Sequence, residues 1–345
     1  MNEILALILT GLISFGITVG LGFVFIPWLH KLKFGQTILD IGPNWHKKKQ
    51  GTPTMGGIMF IIASVAAVAV VAVTDKIAGG SIVTSGSSIA NENLFKTKFW
   101  AGLIMALCFG AVGFADDYIK VVKKRNLGLT ISQKTLAQVV ICVGYLLSMQ
   151  LAGGTYMFIP FVGNVALNPV VYWIVGFCVL YGAINAVNFT DGIDGLCSSV
   201  TLTAAVSFIV IAVMRKYLGA GIMSCALAGA CAGFLVWNRN PAKVFMGDTG
   251  SMFLGGLVVA IAYMIDCPII LIPVGIIYVI EAMSDVIQIG YFKITHGKRI
   301  FKMAPIHHHF EMSGWKENKI VIVFSLINVL GGIAGILLMY FGNLK

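Results

Sequence analysis

The sequence predicts an all-α polytopic membrane protein with ten transmembrane helices, both termini outside, and an active-site cleft on the cytoplasmic face. Three observations lead there. Of the 345 residues, 58% are hydrophobic and 11% charged, with a mean hydropathy of +0.91, a balance no water-soluble domain of this size approaches. Apolar runs near the ~20 residues needed to cross a bilayer recur along the whole chain. Lysine and arginine collect in alternate loops, as the positive-inside rule requires.

The ten runs are 3–29, 55–74, 98–115, 135–152, 169–188, 196–214, 218–237, 251–267, 268–290 and 320–342. Only the turn Asp266-Cys267-Pro268 separates the eighth from the ninth, and Pro273 is placed to break the ninth. Met1-Asn2-Glu3 runs into the first without a basic region or a cleavage site, so this is a retained span and not a signal peptide. The cysteines lie mostly inside apolar runs (Cys108, Cys142, Cys178, Cys225, Cys231) with no CxxC spacing, which excludes a disulfide framework or a thiolate metal site. One integral membrane domain, 1–345, accounts for the whole.

The loops after the odd-numbered runs carry 18 of the 24 Lys and Arg, which puts them inside and both termini outside. The net charge of +10 is then mainly topological, directed at anionic membrane lipid, with no nucleic acid partner expected. Acids do not follow that rule, yet Asp40, Asp116, Asp117, Asp191, Asp194, Asp248, Glu311 and Glu317 all fall on the inner side. Carboxylates gathered among basic loops at one membrane face point to a polar site that binds a cation and an anionic substrate together.

Each inner segment has a chemical reading beside a plain one. Asp116-Asp117 ends the third run, either as a solvated helix end neutralised by Lys120, Lys123 and Lys124, or as a hard-cation site of the kind carboxylate oxygens offer Mg2+. Asn188, Asp191 and Asp194 are spaced three apart, so a helical turn would bring them to one side; the plain alternative is that Asp194 caps the sixth span. Gly247-Asp248-Thr249-Gly250-Ser251 feeds a helix N-terminus, where main-chain N–H groups can seat phosphate and Asp248 can hold a bridging metal, unless the turn is only a cap. His307-His308-His309 suits phosphate hydrogen bonding or proton handling better than zinc, because successive side chains diverge, with a structural role as the alternative. Lys47-Lys48-Lys49, followed by the Pro/Gly turn through Thr54, meets either lipid headgroups or a diphosphate. Glu281, Asp285 and Gln288 share a helix face that should point into the bundle.

Five stretches in order, Gly51-Thr-Pro-Thr-Met-Gly-Gly57, Asp116-Asp-Tyr-Ile-Lys120, Asn188-Phe-Thr-Asp-Gly-Ile-Asp-Gly-Leu196, Phe245-Met-Gly-Asp-Thr-Gly-Ser251 and Pro305-Ile-His-His-His-Phe-Glu311, resemble the signatures of the phospho-MurNAc-pentapeptide translocases, a branch of the polyprenyl-phosphate N-acetylhexosamine-1-phosphate transferase superfamily. The resemblance spans essentially the whole chain; Ile193 stands where leucine is more usual.

The resemblance implies an enzyme of the bacterial inner membrane, multi-pass and Mg2+-dependent. It would transfer phospho-MurNAc-pentapeptide from UDP-MurNAc-pentapeptide to undecaprenyl phosphate, yielding lipid I and UMP for the cell wall. The family is often a homodimer and is a target of nucleoside antibiotic inhibitors. Carried onto this chain, it implies Asp248 as metal ligand, with Asp116 and Asp117 sharing the metal or acting on the lipid phosphate, and Lys120, His307 and His308 at phosphate groups. Lys49, Thr54, Asn188, Asp191, Asp194, Asn238, Phe245, Ser251 and Gln288 would surround the nucleoside and diphosphate, Phe245 stacking on uracil and Asp194 accepting from its imide. The sister GlcNAc-1-phosphate transferases would differ in sugar specificity only, and the Pro-Ile-His-His-His-Phe-Glu form argues against them. A cation-coupled transporter would place its acids near the midplane at inverted repeats, where only Glu281 and Asp285 qualify here.

Overall fold

The computed structural model describes residues 2–32, 49–86, 91–123 and 127–342. Asp40, Lys47, Lys48 and Lys124, which entered the reading of the inner loops, lie outside the described residues. The chain is mostly helical: α1 (Glu3–Lys31), α2 (Gly57–Ile77), α3 (Glu92–Val122), α4 (Ile131–Leu151), α5 (Pro169–Thr190), α6 (Leu196–Met214), α7 (Leu218–Asn238), α8 (Gly247–Met264), α9 (Leu271–Val274), α10 (Ile276–Ile294), α11 (Ile306–Glu311) and α12 (Glu317–Gly342). Nine of these are long and apolar enough to cross a membrane among the described residues.

A tenth candidate is broken: Pro268–Val274 and Ile276–Ile294 meet at an angle of 87°. Sequence placed the break near Pro273; it falls two residues later, at Gly275. There the main chain leaves helical geometry and its groups lose their partners. Asn328, fully buried on α12, replaces them, its amide oxygen accepting from Ile277 N (3.3 Å) and its NH2 donating to Val274 O (3.0 Å), Thr203 Oγ1 (2.9 Å) and Val200 O (3.3 Å). Irregular backbone at membrane depth is tolerable only with such internal partners.

Local chemistry sets the helix starts. Asn2 and Asn168 cap α1 and α5 with their side-chain oxygens, the latter followed by Pro169 in the first turn. Thr130 and Gln133 form a reciprocal capping box at α4. The third span is longer than the apolar run implied, so Asp116 and Asp117 sit inside α3 and not at its end. One element falls outside the all-α expectation: Tyr156–Ile159 and Gly163–Ala166 form an antiparallel hairpin between α4 and α5.

Helix α8 is the axis of the bundle, with 89% of its span window buried, against 28% for α1, α4 and α12 at the rim. Small residues let α3 lie against it: a side chain on Gly102 would meet Ala260 and one on Gly256 would meet Ala106. In hydrocarbon, close approach of this kind is what holds helices together. Gly113 is the tightest point, since a Cβ there would run into the main chain of Asp248 and Thr249. That contact sets two aspartates of α3 against the start of α8.

The alternating helices divide the loops between two ends. At the end opposite Asp116, Asp117 and Asp248, Lys98 is buried and ion-paired with Asp266, and the guanidinium of Arg215 lies 4.3 Å from the Phe158 ring centroid. Phe158 N donates to Asp266 O (2.7 Å), tying the hairpin to the α8–α9 turn. Burial raises the Asp266 carboxyl above its ordinary value even with Lys98 beside it.

Candidate active site

At the other end, the C-termini of α3, α5 and α10 meet the N-termini of α4, α8 and α12. Three connected clusters form there.

The first surrounds Asp248, in the opening turn of α8. Its Oδ2 accepts from Lys120 Nζ (3.0 Å) and Lys134 Nζ (2.9 Å), and its Oδ1 from Asn188 Nδ2 (3.0 Å), which also donates to Ser251 Oγ (2.7 Å). Lys120 reaches back one helical turn to Asp116 Oδ2 (2.5 Å). Asp116 Oδ1 accepts from Leu129 N (2.8 Å). Asp117 Oδ1 accepts from Asp248 N (3.2 Å), while its Oδ2 accepts from Thr249 N (2.9 Å) and Thr249 Oγ1 (2.7 Å). The first N–H groups of α8, expected from sequence to seat a phosphate, are therefore already held by a carboxylate of the chain, because an anion fixed on α3 sits at the positive end of the helix. Thr54 is buried beside this turn: a side chain on Gly247 would lie 2.7 Å from Thr54 Oγ1.

Ligand oxygens of Asp116, Asp117 and Asp248 all lie within 4.8 Å of one another. Three hard oxygen donors at that separation suit a small divalent cation, and carboxylates keep lone pairs beyond those used by the lysines and amides. The two lysines do the same work of neutralisation from the protein side.

The second cluster lies across the α5–α6 turn. Asn188, Asp191 and Asp194 do not share one helical face, because α5 ends at Thr190 and the chain turns. Nor does Asp194 cap α6: Gly195, at φ +79°, occupies that position without a side-chain bond. Asp194 is instead buried with both oxygens engaged, Oδ1 accepting from Lys49 Nζ (2.7 Å), Oδ2 from Asn240 Nδ2 and Ala242 N (both 3.0 Å). Asn238, also buried, accepts from Gly195 N (3.1 Å) and donates to Val244 O (2.9 Å), locking the turn to the loop that carries Phe245. Phe245 N donates to Pro53 O (2.8 Å) and leaves its ring half-exposed. Asp191 is half-buried between the two clusters. Burial holds its carboxyl well above the ordinary value, and the negative charges of Asp248, Asp117 and Asp194 add to the shift.

The third cluster is the histidine motif, which folds as α11. Its three rings take three different partners, as diverging side chains must. His307 Nδ1 lies 2.9 Å from Glu281 Oε2, a hydrogen bond that fixes the orientation of the ring. His307 Nε2 and Glu281 Oε1 are both fully buried without a hydrogen-bond partner among the described residues. Nε2 faces the α5–α6 turn, where a side chain on Gly192 would collide with it. His308 Nδ1 lies 2.7 Å from Glu311 Oε2, and His309 Nδ1 accepts from Lys302 N (3.1 Å). Glu281 and Gln288 are buried on one face of α10, with Asp285 half-buried between them. Gln288 Oε1 accepts from Ile300 N (3.2 Å) and Phe301 N (3.0 Å), holding the loop before α11.

Two charged residues escaped the sequence reading of the site. Lys134 was counted only as a basic loop residue, and Glu317 only as an inner acid; neither lies in a recognisable motif. Behind Lys134 and Asn188 stands a reciprocal amide pair, Gln138 Nε2 to Asn185 Oδ1 (3.3 Å) and Asn185 Nδ2 to Gln138 Oε1 (2.9 Å), one helical turn further from the acids.

Residues 99–266 match the model of glycosyl transferase family 4, and residues 49–61 match the phospho-N-acetylmuramoyl-pentapeptide-transferase signature 1. Among similar proteins, the phospho-N-acetylmuramoyl-pentapeptide-transferase of Carboxydothermus hydrogenoformans is 44% identical over 328 residues, 92% of this chain and 94% of its own. That of Listeria monocytogenes is 43% identical over 343 residues, covering 97% and 98%. The Bacillus thuringiensis protein of the same name is 42% identical over 331 residues, covering 96% and 97%.

Proposed function

This chain belongs to the phospho-N-acetylmuramoyl-pentapeptide-transferase family, and from that membership we propose that it moves phospho-MurNAc-pentapeptide from UDP-MurNAc-pentapeptide to undecaprenyl phosphate at the Asp116–Asp117–Asp248 cluster, producing lipid I and UMP in peptidoglycan synthesis. The observation that carries the assignment of the site is the convergence of three carboxylates within 4.8 Å, with Lys120 and Lys134 both on Asp248. Ten spans follow if the bent pair crosses once, which puts both termini outside and the acids at the cytoplasmic face of the bacterial inner membrane.

Two anions must approach one another in this reaction, so the site has to offset their repulsion. Mg2+ held by Asp116, Asp117 and Asp248 supplies a Lewis acid for the diphosphate when bound. Asp117, whose oxygens already take three donors, fixes the start of α8 and hence the aim of Asp248. Lys120 and Lys134 remain near the carboxylates as cations for the transferring phosphoryl group. Asp116 is the acid of α3 with fewer internal bonds, and it receives the proton or orients the oxygen of the lipid phosphate for direct in-line attack on the β-phosphorus. His307 presents an unpartnered Nε2 toward the Gly192 turn while its Nδ1 is held by Glu281. The half-exposed Phe245 ring is the stacking surface for uracil, and the same pocket would admit nucleoside antibiotics.

The decisive measurement is UMP release by the purified protein with undecaprenyl phosphate, comparing UDP-MurNAc-pentapeptide with UDP-GlcNAc, with Mg2+ and with EDTA. Metal-dependent release from the muramyl donor alone is expected. Release from UDP-GlcNAc alone moves the protein to the sister branch, and no release from either by folded protein overturns the assignment.

A further inference from the structure

We propose that Glu317, the first residue of α12, is a positioning residue for the nucleotide-sugar donor, acting through Lys49 and the α5–α6 turn. The proposal rests on the transferase reading above. Its basis is a three-way junction at one oxygen atom. Glu317 Oε2 accepts from Lys49 Nζ (2.7 Å) and from the main-chain N–H of Asp194 (3.1 Å), while Lys49 Nζ also donates to Asp194 Oδ1 (2.7 Å). A single carboxylate thus ties together the loop before α2, the turn between α5 and α6, and the start of α12, which are 145 and 268 residues apart from Lys49 in sequence.

The junction is built and not a loose surface pair. The side chains of Lys49, Asp194 and Glu317 are 17%, 2% and 11% exposed, so each pays desolvation that only a paired geometry offsets. Asp194 is held from its other side by Asn240 and Ala242, so the turn is clamped between two loops. Lys49 has two anionic neighbours, which leaves this corner with one net negative charge in the ligand-free protein. An incoming diphosphate therefore competes with Glu317 and Asp194 for the lysine. A cation kept at a fixed place by two carboxylates costs little rotamer entropy when it turns to the phosphate, whereas a free lysine must first be ordered. Glu317 touches no part of the lipid acceptor's carboxylate–lysine cluster, so its effect should fall on one substrate.

The test is steady-state kinetics with each substrate varied in turn, on Glu317→Ala, Glu317→Gln and Lys49→Ala and on the Lys49→Ala/Glu317→Ala double variant. Binding of UMP to the same proteins, measured by calorimetry, gives a readout independent of turnover. Expected are a roughly tenfold rise in donor KM for Glu317→Ala, a kcat and acceptor KM within about twofold of wild type, and a smaller donor effect, about threefold, for Glu317→Gln, which keeps the oxygen but not the charge. In the Lys49→Ala background, removing Glu317 should change donor KM by less than about twofold. A fall in kcat with donor KM unchanged, or equal changes in both KM values, overturns the proposal, as do additive effects of the two alanines. If Glu317→Ala does not fold, the Gln variant decides by the same split. Wild-type protein that fails to release UMP at all speaks against the transferase reading and not against the junction, which UMP calorimetry would still test.

Discussion

The carboxylate of Asp117 grips Thr249 twice, accepting its main-chain N–H at 2.9 Å and its hydroxyl at 2.7 Å across the α3–α8 contact. The pairing is buried on both sides. It fixes the rotation of the α8 start, and with it the direction of Asp248. Thr249→Val keeps shape and removes one donor to a charged acceptor, a loss of about 1–3 kcal/mol. We expect a lower melting temperature and a kcat reduced about tenfold, with Thr249→Ser restoring both. A Val variant with wild-type kcat would show that this bond supports the fold and not the aim of Asp248.

Asp248→Asn should reduce UMP release at least about a hundredfold, the scale at which removing one electrostatic contributor affects a reaction. The protein should stay folded, because Asn188, Ser251 and the Asp117 contacts remain. Its melting temperature should no longer rise on adding Mg2+, since a cation stabilises only a state that binds it. Persistence of the Mg2+ shift would move the metal off Asp248.

The Gln138–Asn185 pair joins α4 to α5 one turn behind Lys134 and Asn188, the residues of those helices that hold Asp248. Removing Asn185 leaves the buried Gln138 amide without its partner, whereas removing Gln138 leaves the half-buried Asn185 still donating to Tyr181 O (2.8 Å). Gln138→Leu and Asn185→Leu should each destabilise by about 1–2 kcal/mol, and the double variant by less than the sum, as contacting pairs do. Additive melting-temperature changes would mean that the amides do not act as a pair.

Much of this site was legible because membrane chains place few charges inside apolar sequence. Asp116, Asp117, Asp248 and Lys120 stood out for that reason, and the structure brings them together. Their roles were less legible. Asp117 reads as a lysine-neutralised helix end or a cation ligand until α8 is placed against Gly113, when it becomes the acceptor for the helix start. Asp194 reads either as part of a polar turn with Asn188 and Asp191 or as a helix cap, and only the contacts from Lys49, Asn240 and Ala242 in distant loops remove the cap. Lys134 and Glu317 have no local pattern at all, since their partners are 114 and 268 residues away. The apolar runs located the spans closely but not the polar ends of α3, which continue as helix past the hydrocarbon limit, nor the hairpin, whose four-residue strands carry too little alternation to register.

Asp191 gives the site a pH dependence of definite sign. Its carboxyl is raised by burial and by Asp248, Asp117 and Asp194, so the folded protein retains a proton that the unfolded chain releases near pH ~4. Its contribution to stability is intact below that value and is lost as pH rises through the folded pKa. Asp191→Asn cannot ionise and escapes the loss. In EDTA, the melting temperature of the variant minus that of wild type should widen as pH rises above about 4, the ordinary carboxyl value, and Mg2+ should narrow it by screening the neighbouring acids. A gap independent of pH would show that Asp191 does not titrate in the folded protein.

Asn328 carries the bend at Gly275, and its removal tests whether the bend in turn carries the histidine cluster. Ile277 N–H and Val274 C=O sit at the break within a membrane-spanning pair, where no water replaces a lost partner. Asn328→Leu leaves both unpaired and adds apolar volume against Thr203, so a loss of about 2–4 kcal/mol is expected from the two orphaned groups. Asn328→Asp, kept protonated by burial at this depth, retains the acceptor for Ile277 and one donor in place of two, and should fall between. The consequence reaches the site along α10: Ile277 begins the helix whose next turns hold Glu281 against His307 and Gln288 against the loop of Ile300 and Phe301. If the break holds that register, kcat should fall with stability across the Leu and Asp variants, while binding of UMP, which we propose rests on the α5–α6 turn, changes little. Variants that melt earlier but turn over normally at low temperature would separate the bend from the histidines.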